Sequence, residues 1–147
     1  MKNKVAVITG GSSGIGEALA YKFSQENFNI VITGTNKDRL NNVLSKIKKN
    51  GVSCEGVIHD ISSSNDVKKM VDISIRKFGR IDVLICNAGI SIRSLFEDLD
   101  LNTFEKLFRI NFLGTVYSVK HSLPHLIKTS GTIIGISSLN GFIATPT

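Results

Sequence analysis

The sequence has few of the residues that build metal sites or disulfide frameworks. It contains two cysteines and three histidines in 147 residues, and no Cys-x-x-Cys pair. Cys54 and Cys86 are far apart, and no histidine lies at a ligand-like spacing from either one. These absences argue against a zinc site, and we expect no metal. They favour two buried, reduced thiols in a cytosolic protein.

A long hydrophobic run is also missing near the N-terminus. Lys2 and Lys4 are followed by only four apolar residues before Thr9. A signal-peptide core or a membrane span needs a longer run, so the pattern predicts neither. We therefore expect a soluble, cytoplasmic protein that has no membrane partner.

Acidic residues are outnumbered by basic ones, at 12 Asp and Glu against 18 Lys and Arg, which gives a net charge of +6. The lysines and arginines are spread over several predicted helices with acids between them. This distribution predicts a solvated surface and no nucleic-acid partner. The length and the 41% hydrophobic content are typical of one globular domain, residues 1–147.

The sequence does contain a glycine-rich turn, residues 9–16, between a predicted strand and a predicted helix. Residues 5–8 are apolar and rich in β-branched side chains, and Ile15, Leu19 and Phe23 recur every four residues. Glycines let a phosphate approach the backbone, and the first turn of a helix offers it unpaired N–H groups. A plain strand–helix turn is the alternative, but the flanking elements favour dinucleotide binding.

Four more apolar segments follow, each separated from the last by a helical pattern. This alternation predicts an α/β fold with a doubly wound parallel sheet, Rossmann-like, in the order 3-2-1-4-5 and with helices on both faces. Ligands of such folds bind beyond the carboxyl ends of the strands. The predicted strands are residues 5–8, 29–33, 52–59, 81–86 and 132–137.

A long helical region is predicted from about residue 102 to residue 128. Apolar residues surround it almost completely, which indicates burial on more than one side, by the sheet and by a partner subunit. Pro124 is expected to kink or end this helix.

Two motifs resemble those of the short-chain dehydrogenase/reductase family, in its compact one-domain branch. Three residues separate Gly10 from Gly14, with Gly16 following, whereas the commoner dinucleotide fingerprint has one residue between its first two glycines. Asn87-Ala88-Gly89 resembles a second motif of the family. The resemblance implies an oxidoreductase that transfers a hydride between a nicotinamide and a carbonyl or secondary alcohol, and it implies a homo-oligomer.

The resemblance also assigns residues beyond the strand ends to the cofactor. Asp60 would accept from the adenine amino group, with a helix-entry acid as the structural alternative. Ala88 and Gly89 would let the backbone pass close to the cofactor ribose, while Asn87 would tie neighbouring strands together. The predicted cofactor-binding residues are Gly10, Ser12, Ser13, Gly14, Ile15, Gly16, Thr35, Asn36, Lys37, Asp60, Ile61, Asn87, Ala88 and Gly89.

The segment after the second strand favours NADP over NAD. An NAD-binding protein usually carries an acid there, and the sequence has Gly34 at that place. Thr35, Asn36 and Lys37 can donate hydrogen bonds to a 2′-phosphate. An ordinary polar turn is the alternative, and Ser13 stands where NADP-preferring relatives often have a basic residue.

Asn111 and Ser138 are the predicted catalytic residues. In the family, the asparagine distorts its helix and holds a water of the proton relay, and the serine hydrogen-bonds the substrate carbonyl. A plain core or capping amide is the alternative for Asn111. Matching on Gly141 favours Ser138 over Ser137. Position alone suggests a near wall of the substrate pocket formed by Ser91, Ile92 and Leu139.

The acid–base pair of the family, Tyr-x-x-x-Lys, does not occur in the 147 residues. The resemblance places it beyond Thr147, and neither Tyr21 nor Tyr117 is followed by lysine four residues later. We expect the chain to be the N-terminal part of such an oxidoreductase and to be inactive by itself. The alternative is a non-catalytic dinucleotide-binding or interaction module.

Overall fold

Strands and helices alternate along the chain in a computed structural model, which describes residues 3–139. A five-residue π-helical turn interrupts the longest helical run. The elements are β1 (Val5–Ile8), α1 (Gly14–Gln25), β2 (Asn29–Gly34), α2 (Lys37–Lys48), β3 (Cys54–Ile58), α3 (Ser64–Phe78), β4 (Val83–Cys86), α4 (Leu101–Phe108), the π-helical turn (Arg109–Leu113), α5 (Gly114–Thr129) and β5 (Thr132–Gly135).

The five strands form one parallel sheet in the order β3-β2-β1-β4-β5. Ile8 of β1 lies in register with Ile32 of β2 on one side and with Ile85 of β4 on the other. The predicted doubly wound order is therefore confirmed. β3, β4 and β5 are shorter than predicted, because β3 spans Cys54–Ile58, β4 begins at Val83 and β5 ends at Gly135.

Alternate residues of the central strand β1 face the two sides of the sheet, and all four are fully buried. Val5 and Val7 belong to a core that includes residues of α3 and α5. Ala6 and Ile8 belong to a second core, shared with α1 and α2. A strand covered on both faces requires apolar side chains at every position, and this explains its unbroken hydrophobic run. The molecule thus has three layers.

The helices that follow β2, β3 and the β4 loop begin with side-chain caps. Asn36 accepts from the backbone N–H of Arg39 at the start of α2, at 2.9 Å. Ser63 caps α3, where its hydroxyl accepts from the backbone N–H of Asp66, and Asp100 caps α4. These caps satisfy backbone donors that a helix leaves unpaired at its N-terminus. None of the helices within residues 3–139 is long and apolar enough to cross a membrane.

The predicted long helix is α4, the π-helical turn and α5 in one run, and it extends past Pro124 to Thr129. Pro124 was expected to kink or end the helix, and it does not end it. Pro124 is exposed, while Ser122 and Leu126 on either side of it are buried against the rest of the fold. Proline has no backbone N–H, so one hydrogen bond of the helix is missing at this position. The packing of Ser122 and Leu126 keeps the helix continuous there.

This helical run was expected to be buried on more than one side, but within the single chain only its inner face is buried. Its inner face is made largely of small residues, Gly114, Ser118 and Ser122, which are buried. Its outer face carries a row of partly exposed apolar side chains; Phe112, for example, is 54% exposed. This row, called the apolar stripe below, consists of Phe104, Phe108, Phe112, Val116, Leu123 and Ile127.

Candidate functional site

The glycine-rich turn leaves the N-terminus of α1 without a side-chain cap. Ser13 stands at the cap position in an extended conformation, and its side chain accepts no capping hydrogen bond. Gly10 and Gly14 have positive φ angles of 66° and 56°, which L-residues with a Cβ rarely adopt. The first amides of α1 and the partial positive charge of its N-terminus are therefore left for an anion.

The turn is packed tightly against the segment after β4. A Cβ added at Gly16 would collide with the carbonyl oxygen of Gly10 and would lie 2.5 Å from Nδ2 of Asn87. A Cβ at Gly10 would lie 2.8 Å from Cα of Ala88. A Cβ at Gly14 would meet nothing within 4 Å. The turn thus forms a rigid cradle that only glycines permit, with its first helical turn open, and this fits the pyrophosphate of a dinucleotide.

Thr9 and Asn87 connect the ends of β1 and β4. The hydroxyl of Thr9 accepts from the backbone N–H groups of Asn87 and Ala88, at 3.0 and 3.1 Å. In return, the Asn87 side-chain amide donates to the carbonyls of Thr9 and Gly10, at 3.0 and 3.1 Å. Asn87 therefore ties the neighbouring strands together, the role that the sequence analysis gave it.

A crevice of about 380 Å³ lies at the carboxyl ends of the strands. Ten of the fourteen predicted cofactor-binding residues line it: Gly10, Ser12, Ser13, Ile15, Thr35, Asp60, Ile61, Asn87, Ala88 and Gly89. Gly14, Gly16, Asn36 and Lys37 do not line it. Five lining residues were not predicted, namely Thr33, Gly34, His59, Ile90 and Ile110. All five directly adjoin a predicted site residue or another strand-end residue, and this adjacency was the available signal.

The segment after β2 is partly an ordinary helix entry. Asn36 uses its side-chain oxygen to cap α2, and Lys37 is the first residue of that helix. Both side chains are exposed, and only Thr35 of the three predicted residues lines the crevice. The capping bond leaves the NH₂ group of Asn36 available as a donor.

Asp60 is held in a tight turn at the end of β3. Its Oδ1 accepts from both the backbone N–H and the hydroxyl of Ser62, at 2.9 and 2.8 Å. Its other oxygen accepts no hydrogen bond from residues 3–139. Ile61 packs against Gly114 of α5, where a Cβ would lie 2.7 Å from the Ile61 side chain. The turn therefore presents one carboxylate oxygen at a fixed position.

His59 is a buried member of the crevice wall that no motif indicated. Its side chain is only 8% exposed, and neither ring nitrogen has a hydrogen-bond partner among the described residues. Burial lowers the pKa of His59 below its usual value of 6.5, while the nearby carboxylates of Asp66 and Asp60 oppose this shift. His59 thus forms part of the fold as a neutral imidazole.

Asn111 lies in the π-helical turn and contacts the loop after β4. Its amide oxygen accepts from the N–H of Ile90, and its NH₂ group donates to the Ile90 carbonyl, both at 2.9 Å. Ile90 lines the crevice, so the structure brings Asn111 next to it. Asn111 is therefore neither a core amide nor a helix cap, because it is exposed and its side chain hydrogen-bonds the backbone of the loop after β4.

The segment after β5 lies apart from the crevice lining. Ser138 is exposed, and neither it nor the predicted pocket residues Ser91, Ile92 and Leu139 line the crevice. Gly141, which aligned the serine motif, lies outside the described residues. The catalytic role of Ser138 therefore stays a prediction.

A larger cavity, of about 630 Å³, lies between α1 and α2. Its wall includes Tyr21 and Lys46, and Lys46 pairs with Glu17 at 2.8 Å. Of the predicted cofactor-binding residues only Gly14 lines it, and none of those at the ends of β2, β3 and β4 does, so the smaller crevice is the candidate cofactor site. Within residues 3–139, no group of three or more His, Cys, Asp or Glu side chains is arranged to hold a metal ion.

Comparison with solved structures identifies the same architecture in dehydrogenases. An alcohol dehydrogenase from the archaeon Thermococcus sibiricus, complexed with 5-hydroxy-NADP, superposes with a TM-score of 0.94 at 29% identity, over 97% of this chain and 61% of that one. An NAD⁺-bound xylitol dehydrogenase superposes with a TM-score of 0.93 at 28% identity, over 99% of this chain and 57% of that one.

Sequence comparison agrees with the structural one. An uncharacterised oxidoreductase of Staphylococcus epidermidis is 36% identical over 148 residues, which cover 100% of this chain and 63% of that protein. An 11-beta-hydroxysteroid dehydrogenase-like protein of Arabidopsis thaliana is 37% identical, over 99% of this chain and 50% of that protein. The chain thus spans between half and two thirds of the length of these relatives. A sequence model described as short chain dehydrogenase matches residues 4–147, and the chain therefore belongs to the short-chain dehydrogenase family of NAD(P)-dependent oxidoreductases.

Proposed function

We propose that this chain is the cofactor-binding part of an NADP-dependent oxidoreductase that acts on a carbonyl or a secondary alcohol. The observation that carries the proposal is the uncapped N-terminus of α1, which begins in a glycine cradle fixed to Asn87. The two relatives compared above are described as an oxidoreductase and a dehydrogenase-like protein. When bound, the nicotinamide cofactor would supply or accept the hydride.

Each group of residues has a role in this proposal. Gly10, Ser12 and Ser13 hold the phosphates, with Gly14 and Gly16 shaping the turn. Asp60 accepts from the adenine amino group through the oxygen that Ser62 leaves unused, beside Ile61. Ala88 and Gly89 give the nicotinamide-side ribose room to approach the backbone.

The catalytic half of the proposal involves Asn111 and Ser138. Asn111 fixes the loop at Ile90 and holds a water for proton transfer, and Ser138 orients the substrate carbonyl. The 147 residues hold no Tyr-x-x-x-Lys pair to supply the proton. We therefore propose that this chain alone binds cofactor without catalysing hydride transfer.

The NADP preference is supported by the end of β2. A side chain at Gly34, where an acid would accept from the ribose hydroxyls, would place its Cβ 2.5 Å from the Ser12 hydroxyl. Ser12 therefore occupies the space that such an acid would need. Thr35, Asn36 and Lys37 supply donors and a positive charge at the adjacent positions. The compared structures contain an NADP analogue in one case and NAD⁺ in the other, so they do not discriminate between the cofactors.

A calorimetric titration of the purified chain with NADPH and with NADH tests this proposal. We expect NADPH to bind at least about tenfold more tightly, because a hydrogen bond to a charged group such as the 2′-phosphate contributes about 1.5 to 3 kcal/mol, and about 1.4 kcal/mol corresponds to a factor of ten. Thr35→Asp should remove this preference by repelling the 2′-phosphate. Asn42→Asp makes the same charge change on an exposed residue of α2 and should leave the preference intact.

Three results would contradict parts of the proposal. Equal or tighter binding of NADH would contradict the NADP preference. Binding of neither dinucleotide would contradict the cofactor site. Oxidation of NADPH by the 147-residue chain with a carbonyl substrate would contradict its inactivity.

Assembly and location complete the proposal. The apolar stripe supports a homo-oligomer, because an exposed row of apolar side chains of this length is typical of a protein–protein contact. Cys54 and Cys86 are buried and unpaired, and burial raises the pKa of the Cys86 thiol to about 11, so that it is unreactive. Unpaired structural thiols support a cytoplasmic location.

A further inference from the structure

A second cavity at the strand ends, of about 460 Å³, adjoins the crevice. It lies between the ends of β2 and β3 on one side and α4 with the π-helical turn on the other. Thr35, Asp60 and Ile110 line both spaces. The two are therefore continuous on the side where the proposed function puts the adenosine. The following inference rests on that function.

The far wall of this second cavity comes from α4 and the π-helical turn. Lys106 and Arg109 lie on it, together with Glu105. None of these three side chains forms an ion pair or a hydrogen bond with another residue of the described chain, 3–139. Their donors and acceptors are therefore unused by the described residues, and they line the same space as Asp60, one of whose carboxylate oxygens accepts no hydrogen bond from those residues.

The charges of this lining balance. Lys106 and Arg109 contribute two positive charges, while Glu105 and Asp60 contribute two negative ones. A wall with no net charge has little attraction for a phosphate dianion, which favours a positive field. It suits a neutral heterocycle that carries both hydrogen-bond donors and acceptors at its edge.

Adenine has that chemistry. Its amino group donates to a carboxylate, its ring nitrogens accept from cations, and its face stacks on a planar guanidinium. Ile110, which lines both spaces, adds an apolar contact for the ring. We propose that Lys106 and Arg109 close the purine end of the site, as positioning residues that contact the edge and face of the adenine.

The proposal predicts which ligands lose affinity when Lys106 and Arg109 are replaced. ADP, NADH and NADPH carry the same purine, so all three should lose the same factor of affinity when Lys106 and Arg109 are replaced. A site for the 2′-phosphate would instead affect NADPH alone. Long-range attraction of phosphates would follow the charge of the chain wherever the cations lie.

The test measures the affinity of the purified chain for ADP, NADH and NADPH by calorimetry at two salt concentrations. The double variant Lys106→Ala/Arg109→Ala should bind each ligand about tenfold more weakly, as expected for lost hydrogen bonds to charged groups. The matched control is Lys120→Ala/Lys128→Ala, which removes two exposed cations of α5 that line neither cavity. The control should stay within about twofold of the unaltered chain.

Arg109→Lys keeps the charge and separates stacking from charge, since an ammonium is not planar. We expect Arg109→Lys to bind the ligands more tightly than Arg109→Ala but more weakly than the unaltered chain. A thermal melt followed by circular dichroism checks the folding of the variant without ligand.

Each of the other outcomes overturns the inference. These are unchanged affinity in the double variant, an equal loss in the control, and a loss confined to NADPH. If the unaltered chain binds none of the three ligands, the proposed function fails and the inference fails with it. If the unaltered chain binds them and the double variant does so equally well, only the inference fails.

Discussion

Asn111 and Ile90 form a reciprocal pair of hydrogen bonds, each 2.9 Å long, between one side-chain amide and one backbone residue. The pair attaches the π-helical turn to the loop that carries the Asn87-Ala88-Gly89 motif. Gly89 lies close by, and a Cβ added there would be 3.3 Å from Oδ1 of Asn111. A single amide thus fixes the position of the longest helical run relative to the wall of the crevice.

Replacing Asn111 tests this attachment. Asn111→Leu removes both hydrogen bonds and should lower the free energy of unfolding by about 1 to 2 kcal/mol. Asn111→Asp keeps the acceptor but cannot donate to Ile90, so its effect should be smaller. Urea denaturation measures both. Asn42→Leu is the control, because Asn42 is exposed on α2 and its side chain forms no hydrogen bond with the described residues. Equal losses in Asn111→Leu and Asn42→Leu would show that the pair contributes nothing.

The sheet order and most of the crevice could be predicted because they follow from local patterns. A run such as Val5–Ile8, apolar at every position, is typical of a strand covered on both faces. Five such strands separated by helices permit few topologies. Ligand residues of this fold follow strand ends, and Thr35, Asp60 and Asn87 could be found by that rule.

The long helical run could not be predicted in detail. Its apolar residues are as frequent as those of a helix buried all round, but its inner face consists of small residues such as Gly114 and Ser118. Small residues let helices approach closely, and a hydrophobic pattern does not mark them. The π-helical turn adds one residue to a turn, and apolar residues at 110, 112 and 113 fit either helix type.

Other residues of the crevice and of the adjoining cavity had no motif of their own in the sequence. His59 precedes the predicted Asp60, but nothing in the sequence showed that its ring is buried in the crevice wall. Lys106 and Arg109 read as ordinary solvated cations of a helix. Only the three-dimensional approach of α4 to the ends of β2 and β3 brings them to the cavity that adjoins the crevice.

Thr9→Val should be strongly destabilising although the two side chains have the same shape. The change leaves the N–H groups of Asn87 and Ala88 without the acceptor that Thr9 provides. Both donors are partly buried, and the loss of their acceptor should cost about 1 to 3 kcal/mol of unfolding free energy, measured by guanidinium denaturation. Thr33→Val is the graded control, because the Thr33 hydroxyl accepts only one backbone N–H, that of Gly10 at 3.2 Å. A loss no larger than that of Thr33→Val would contradict the account.

Gly16→Ala should abolish dinucleotide binding and destabilise the chain. The added methyl group would collide with the Gly10 carbonyl and with Asn87, so the cradle would have to open. Gly51→Ala is the control: Gly51 has a φ of 77°, and a Cβ there meets nothing within 4 Å. It should cost about 1 kcal/mol through backbone strain and leave the affinity for NADPH unchanged. Calorimetry and thermal melts distinguish the two, and unchanged affinity in Gly16→Ala would refute the cradle.

The apolar stripe predicts association of the chain. Phe108 and Phe112 stack on its exposed face, with ring centroids 4.9 Å apart. Light scattering after size exclusion should give a mass above 16.0 kDa for the unaltered chain and 16.0 kDa for Phe108→Glu/Phe112→Glu. Phe96→Glu places a charge on a more exposed phenylalanine, before α4 and outside the stripe, and should leave association intact. A monomeric unaltered chain would refute the prediction.

His59 should make the stability of the fold depend on pH in a definite direction. Burial lowers its pKa below 6.5, so in the interval between the folded and the unfolded pKa the unfolded chain binds more protons. The free energy of unfolding should therefore fall as the pH drops below about 6.5, since protonation of the imidazole is more favourable in the unfolded chain than in its buried position.

His59→Leu removes this contribution, and its unfolding free energy should decline less between pH 7.5 and pH 5. His125→Gln, which replaces a histidine whose side chain has no hydrogen-bond partner in the described chain, is the matched control and should keep the steeper decline. Equal slopes for His59→Leu and the unaltered chain would mean that the pKa of His59 is not lowered in the folded protein.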